Sequence, residues 1–296
     1  MSVQLVVPRA AGGERLDRFV AGHADVGSRA AAARLIDTGA VRVDGEVRPR
    51  AYRVAPGAVV VLTLPEPVQA PLPTEEVEVV HADDRLLVVV KPAGLLVHAV
   101  PGHAGPTLAA ALAGTAAGGP PGRAGIVHRL DRDTSGLLLV ARDEETLRRL
   151  QGQLRRRRIR RTYKALVRGR PPSRTGTIEA PIGRDRRDPA RQSLDTDHPR
   201  EAVTHYELVE ALVERSLLRV ALETGRTHQV RVHLAAIGHP VVGDPVYGHG
   251  PELGLDRQFL HASELRFTHP WTGEEIEVRA PLPPELEAAL ERAKAG

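Results

Sequence analysis

The chain has 296 residues, 42% of them hydrophobic and 26% charged, enough for one large domain or two smaller ones with real cores. It contains no cysteine, which excludes disulfides, thiolate catalysis and cysteine-held zinc or iron–sulfur sites. No apolar run approaches the roughly 18 residues of a membrane span, and the start MSVQLVVPRA lacks the basic opening and long apolar core of a signal peptide, so a cytoplasmic protein is expected. The net charge of +4 conceals a segregation: between Arg142 and Arg170 twelve basic residues stand against three acidic ones. Such a face is the footprint of a binder of phosphate backbones.

In chain order, ERLDRFVAGH reads as a helix with Leu16, Phe19 and Val20 on one face. SRAAAARLIDTG reads as a second, with Ser28 as N-cap and Gly39 as stop. VRVDGEVRPR is a hairpin about Asp44-Gly45, and GAVVVLTL a closing strand. Arg15, Arg18, Arg29 and Arg34 fall on or beside the two helices. Pro65, Pro67, Pro71 and Pro73 then mark a semi-rigid linker. The expected organisation is a small α+β domain over residues 1–64, a linker over 65–76 and a larger domain over 77–296.

In the larger domain, VEVVHADDRLLVVVKPAGLLVH supplies two or three strands with a turn at Asp83-Asp84. The uninterrupted apolar run Leu86 to Val90 predicts a strand covered on both faces. GLLLVAR is another buried strand, and DEETLRRLQGQLRRRRIRR a helix, acidic at its start and basic at its end. TYKALVRG, VTHYELV and SLLRVALET continue as strands. GRTHQVRVHLAAIG reads as a helix capped by Thr227, with Val230, Leu234 and Ile237 inward and Gly238 as stop. A terminal helix follows in APLPPELEAALERA. Many strands with few helices between them predict an α+β fold with a mixed, largely antiparallel sheet and flanking helices.

Neither a phosphate loop nor a dinucleotide-binding glycine pattern occurs. His228 and His233 are five apart, which does not place two ligands on one helix face, and no HExxH is present. No metal and no cofactor are expected. The densest polar cluster is IVHRLDRDTSGLLLVAR, where His128, Arg129, Asp131, Arg132, Asp133, Thr134 and Ser135 crowd before a buried strand. A rigid sheet can present a catalytic group at such a strand mouth. The same residues also suit a hydrogen-bonded turn. Ser135 lacks the GxSxG setting of an activated nucleophile.

RLDRFV, SRAAAARLIDTGAVRVDG and PGAVVV together resemble the small RNA-binding module of the S-four type, shared by a ribosomal small-subunit protein and tyrosyl-tRNA synthetases. HRLDRDTSGLLLVAR resembles the signature of the RluA/RluD family of pseudouridine synthases. KPAGLLVHA (91–99), RTYKALVRG (161–169), GRTHQVRVHLAAIGHPVVGDPVYG (225–248) and LHASELRFTHPWTGE (260–274) resemble further blocks of that family in its order. The resemblance implies cleavage of the N-glycosidic bond of a uridine in RNA and rejoining of the base through carbon 5, without a cofactor. Asp131 then matches the catalytic carboxylate, which attacks ribose carbon 1′ or removes the 2′ proton. Tyr163 matches the tyrosine that stacks on the base and assists proton loss from carbon 5. Arg226 matches the arginine paired with the aspartate, Arg129 the side chain that fills the stack a flipped uridine leaves, and Leu234 a wall of the base pocket. His128 and His228 read as structural hydrogen-bonders. Arg156, Arg157 and Arg158 are expected to track phosphates, as are Arg29 and Arg34 in the first domain. The implied partner is RNA, foremost large-subunit ribosomal RNA, bound by a monomer and without a membrane. A tRNA substrate, or a non-catalytic role in RNA binding and ribosome assembly, are the alternatives. The family pattern is weakest over IEAPIGRDRRDPARQSLDTDHPREAVTHY, where substrate choice is expected to lie.

Overall fold

The computed structural model describes residues 2–23, 26, 29–63, 77–100, 105–120, 122–123, 125–188 and 190–295. The linker expected at 65–76 and the N-cap Ser28 lie outside the described residues. The chain divides into two compact units, Met1–Ala70 with Ala99–Pro106 and Pro71–His98 with Thr107–Gly296.

The first unit runs β1 (Ser2–Val6), α1 (Leu16–Ala21), α2 (Arg29–Asp37), β2 (Val41–Val43), β3 (Glu46–Val47) and β4 (Val59–Thr63). The strands form an antiparallel sheet in the order β1-β4-β2-β3. Leu16 and Val20 of α1 and Ile36 of α2 bury against Val41, Val60 and Leu62, so the unit has its own core. The β2–β3 turn takes positive φ at both Asp44 (50°) and Gly45 (83°), the primed geometry that matches strand twist. Strand β1 was not expected. Its five residues carry little signal alone, and its partner β4 lies nearly sixty residues on.

The second unit runs β5 (Glu78–Ala82), β6 (Leu86–Lys91), α3 (Leu108–Ala111), β7 (Ser135–Ala141), α4 (Glu144–Arg155), β8 (Arg160–Arg168), β9 (Thr175–Glu179), β10 (Gly183–Arg184), β11 (Gln192–Ser193), β12 (Val203–Ala211), β13 (Arg215–Leu222), α5 (Gln229–Ala236), β14 (Leu260–Thr268), β15 (Glu275–Arg279) and α6 (Pro284–Ala295). Nine strands make one sheet in the order β5-β6-β7-β14-β8-β13-β12-β9, with β15 also on β14. Among the described strands only β7 and β14 pair in parallel; the fold is α+β with a mixed, largely antiparallel sheet. The apolar runs of β6 and β7 have the predicted cause. Leu87, Val89, Leu138 and Val140 enter the main core, whereas Leu86, Val88, Leu137 and Leu139 enter a second core on the other face.

Two helices depart from expectation. Helix α4 begins as read, with Asp143 Oδ1 accepting from Thr146 N at 2.8 Å, but it ends at Arg155 and not within the later arginines. Arg157 turns the chain at φ 58°, and the sheet captures Ile159, Arg161 and Tyr163, all buried. Helix α5 starts at Gln229, with His228 and not Thr227 at its cap position. Every residue from Gln229 to Leu234 is buried, whereas Ile237 is partly exposed, so α5 lies inside the domain and shows no single apolar face.

Candidate active site

A cavity of about 430 Å³ opens between the turn before β7, strand β8 and the segment joining β13 to α5. Asp131 sits on its wall because the turn is pinned from beneath. Thr134 N donates to Asp131 O at 3.2 Å and starts the turn. Lys91, fully buried at the end of β6, donates from Nζ to the carbonyls of Pro92 (2.7 Å), Leu95 (2.9 Å) and Arg132 (2.8 Å). Three donors thus meet three acceptors. Burial pushes the Lys91 amine down to about 7, with Asp133 and Asp131 opposing. Arg257 Nη1 holds Asp133 O at 3.0 Å, and Gln258 Nε2 holds Thr134 Oγ1 at 3.1 Å. Ser135 is buried and lies 2.9 Å from His261 Nδ1; it braces the strand mouth from inside.

The arginine beside Asp131 is Arg231, whose Nη1 reaches Asp131 Oδ2 at 3.3 Å. Its other face is locked to the fully buried Asp244, Nε to Oδ2 at 2.7 Å and Nη2 to Oδ1 at 2.8 Å. The backbone N–H groups of Val246 and Tyr247 donate to Asp244 in turn. This corrects the pairing expected of Arg226. That residue lies in the turn before α5 and donates from Nε to Glu201 O at 2.8 Å, at the cavity rim. Four residues and one helix start separate the two arginines, and only the second lies on the helix, where it meets Asp131.

Tyr163 forms the β8 wall, 5% exposed, between Val220 and Ala262 of the neighbouring strands. Burial pushes its phenol up; Arg161 opposes and Asp131 adds to the rise. Leu234, expected on the pocket wall, is fully buried in the core beside Tyr163 and Val230; from α5 it is Gln229, Val230 and Arg231 that line the cavity. Arg129 is exposed on the rim, as a side chain that enters a base stack must be. His128, beside it, is buried and accepts from Leu139 N through Nε2 at 3.3 Å. Burial, and then Arg161, push its imidazole down to about 3.

Among the arginines expected on phosphates, Arg157 departs: its guanidinium pairs with Glu201 and Glu223. Its left-handed backbone turns it back onto the domain. Arg156 and Arg158 are exposed and make no ion pair among the described residues. The side chains of Arg29 and Arg34 lie outside the described residues. His233 is occupied by Thr204 Oγ1 (2.9 Å) and Ala180 O (2.8 Å), and His239 by Arg168 O (2.9 Å). Among the described residues no cluster of three metal-ligating side chains occurs.

A family model described as RNA pseudouridylate synthase matches residues 85–236, just over half of the chain, and spans the whole pinned turn, Tyr163 and α5. The chain belongs to the RNA pseudouridylate synthases. An S4 domain model matches residues 14–60 of the synthase, over the first unit. The synthase is 50% identical over 293 residues to an uncharacterized RNA pseudouridine synthase of Chloroflexus aurantiacus, covering 97% of this chain and 92% of that one. It is 42% identical over 299 residues to the ribosomal large subunit pseudouridine synthase D of Pseudomonas aeruginosa, covering 95% and 92%. Its fold is similar to human RNA pseudouridylate synthase domain containing 1, with a TM-score of 0.60 and 30% identity over 75% of this chain and 90% of that one. The synthase is therefore an RNA-modifying isomerase with an RNA-binding domain at its N-terminal side. None of its described helices is long and apolar enough to cross a membrane.

Proposed function

We propose that the synthase converts specific uridines of large-subunit ribosomal RNA to pseudouridine, as a cytoplasmic monomer, with Asp131 as the catalytic carboxylate. The observation that carries this reading is the Asp131 carboxylate, fixed by Arg231 at 3.3 Å in a cavity that buried Tyr163 also walls. The reaction breaks the bond from ribose carbon 1′ to nitrogen 1, forms one from carbon 1′ to carbon 5 and moves the carbon 5 proton, so nothing is consumed. Asp131 opens it by attack on carbon 1′ or by removing the 2′ proton. Arg231, held by Asp244, keeps the carboxylate in place. Tyr163 stacks on the base, which leaves and is recaptured against it. Arg129 fills the vacated stack, while Arg156 and Arg158 hold phosphates. Support for the ribosomal substrate comes from the Pseudomonas aeruginosa relative, alike over nearly its whole length.

Carbodiimide mapping of large-subunit ribosomal RNA, from cells with and without the gene, tests the substrate. A site lost with the gene and restored by the parent supports it; a loss confined to tRNA moves the substrate there. Asp131→Asn tests the chemistry. The substitution is nearly isosteric and removes an anion, so RNA should bind at least as tightly in filter titrations. Tritium release from carbon 5 should fall by more than about 100-fold. Turnover above about a tenth of parental would make the assignment of Asp131 wrong.

A further inference from the structure

The sequence reads His228 as a structural hydrogen-bonder, yet its setting places it on the cavity wall. Its backbone sits at φ 57° and ψ 17°, a left-handed conformation that costs a non-glycine residue energy and clusters at functional positions. Its ring packs edge-on against Tyr247, with centroids 5.6 Å apart. The Tyr247 hydroxyl accepts from Gln192 N at 2.9 Å and lies 2.9 Å from His228 Nδ1. Donation of the hydroxyl hydrogen to Nδ1 satisfies both groups and leaves the imidazole hydrogen on Nε2. That nitrogen makes no hydrogen bond among the described residues, and it is not a sealed, unsatisfied atom. The half-buried ring lines the same cavity as Asp131. Burial keeps the imidazole below its ordinary pKa; Asp131 and Asp244 oppose this, and Arg231 and Arg129 reinforce it.

The two walls beside Asp131 differ. Tyr163 on β8 stands with Arg161, whereas His228 at the start of α5 stands with Arg231 and Asp244. A base stacked on Tyr163 leaves the α5 wall of the same cavity open to its sugar. We propose that Nε2–H of His228 donates a hydrogen bond to the 2′-hydroxyl of the target ribose and fixes the sugar against Asp131. The proposal rests on the reading of the site as that of a uridine isomerase. It makes His228 a substrate-contacting residue that distinguishes ribose from deoxyribose at the reacting nucleotide. Tyr247 and Gln192 become positioning residues that act through it.

The test compares two RNAs, the ribosomal hairpin that the parent synthase modifies and its twin with 2′-deoxyuridine at that single position. Filter binding with the full-length Asp131→Asn protein keeps chemistry from intervening. This protein should prefer the uridine hairpin by about 3- to 10-fold, one neutral hydrogen bond. His228→Asn, added to it, tolerates the left-handed backbone and still accepts from Tyr247, but has no donor at the Nε2 position. It should bind both hairpins equally. His228→Gln, which puts an amide N–H there, should keep most of the preference. A parental preference in His228→Asn, or no preference without it, overturns the proposal. Nitrogen-15 shifts of His228 in the parent chain give a measurement independent of variants, and hydrogen on Nδ1 overturns it too. Failure of the parent to form pseudouridine in the uridine hairpin is a separate result, which removes the reading of the site and this proposal with it.

Discussion

Arg231 ties two carboxylates that would otherwise repel each other or lie unpaired. Asp244 is fully buried, and its charge is tolerable only because a bidentate guanidinium and two backbone N–H groups surround it. Arg231→Met should therefore cost about 3–5 kcal/mol of stability, read by thermal or urea unfolding, and should abolish turnover. Arg226→Gln should leave stability nearly unchanged and turnover within about tenfold of parental, because among the described residues its side chain holds one carbonyl at the rim. Equal losses in both variants would contradict the division of roles between them. The clue to Arg231 was in the string VRVHL, where a charged side chain sits among residues that a buried helix must enclose. Such a residue needs an internal partner, but nothing in the string says that the partner is Asp244, thirteen residues on, or Asp131, a hundred residues back.

The elements around the site show how a local pattern is redirected by what it packs against. The arginine run after α4 looks uniform in sequence, but it divides into a helix end, a left-handed turn and the start of β8. Arg156 and Arg158 point outward; Arg157 is engaged by Glu201 and Glu223. Changing Arg156 and Arg158 to Gln should weaken binding uniformly across RNA sequences and lower the salt slope by up to about 0.7–0.9 per lost contact. Arg157→Gln should move the slope much less. An unchanged slope in the double variant would make these residues a solvated helix end. Gly136, in the DTSG of the pinned turn, has a different constraint. At φ 116° it lies where β7 and β14 run in parallel, and a Cβ there would stand 2.3 Å from Ala262 O. Gly136→Ala should force these two strands apart and lower the melting temperature, by about 2 kcal/mol or more in stability. A variant that melts with the parent would show that the strands can yield at no cost.

At the scale of the whole molecule, buried neutral histidines set the acid limit. Burial pushes His128 down to about 3, with Arg161 adding, and His261 down to about 4. Their unfolded counterparts titrate near pH 6.5. Between about pH 6.5 and 4 the unfolded chain therefore takes up protons that the native state refuses, and the stability these residues contribute is lost as pH falls. The melting temperature should begin to drop below about pH 6.5, before the carboxylates titrate. A flat profile from pH 7 to 5 would mean that the two imidazoles are charged in the folded protein.

Local physics written in the string determined much of this protein. The Asp44-Gly45 turn, the acidic start of α4 and the unbroken apolar runs of β6 and β7 each depend on neighbours a few residues away, so periodicity and turn chemistry sufficed. The polar cluster from His128 to Ser135 stood out for the same reason, because polar side chains gathered before a buried strand are conspicuous in any chain. Pairing between distant segments was decided only in three dimensions. β1 exists because β4 offers it an edge, and β8 begins at Arg160 because β14 pairs with it there, β13 joining from Thr162 on. The guanidinium beside Asp131 was likewise settled by α5, whose burial turns Arg231 inward and leaves Arg226 at the rim. Backbone hydrogen bonds and buried charges must find partners, and those partners come from whichever segment the fold brings near.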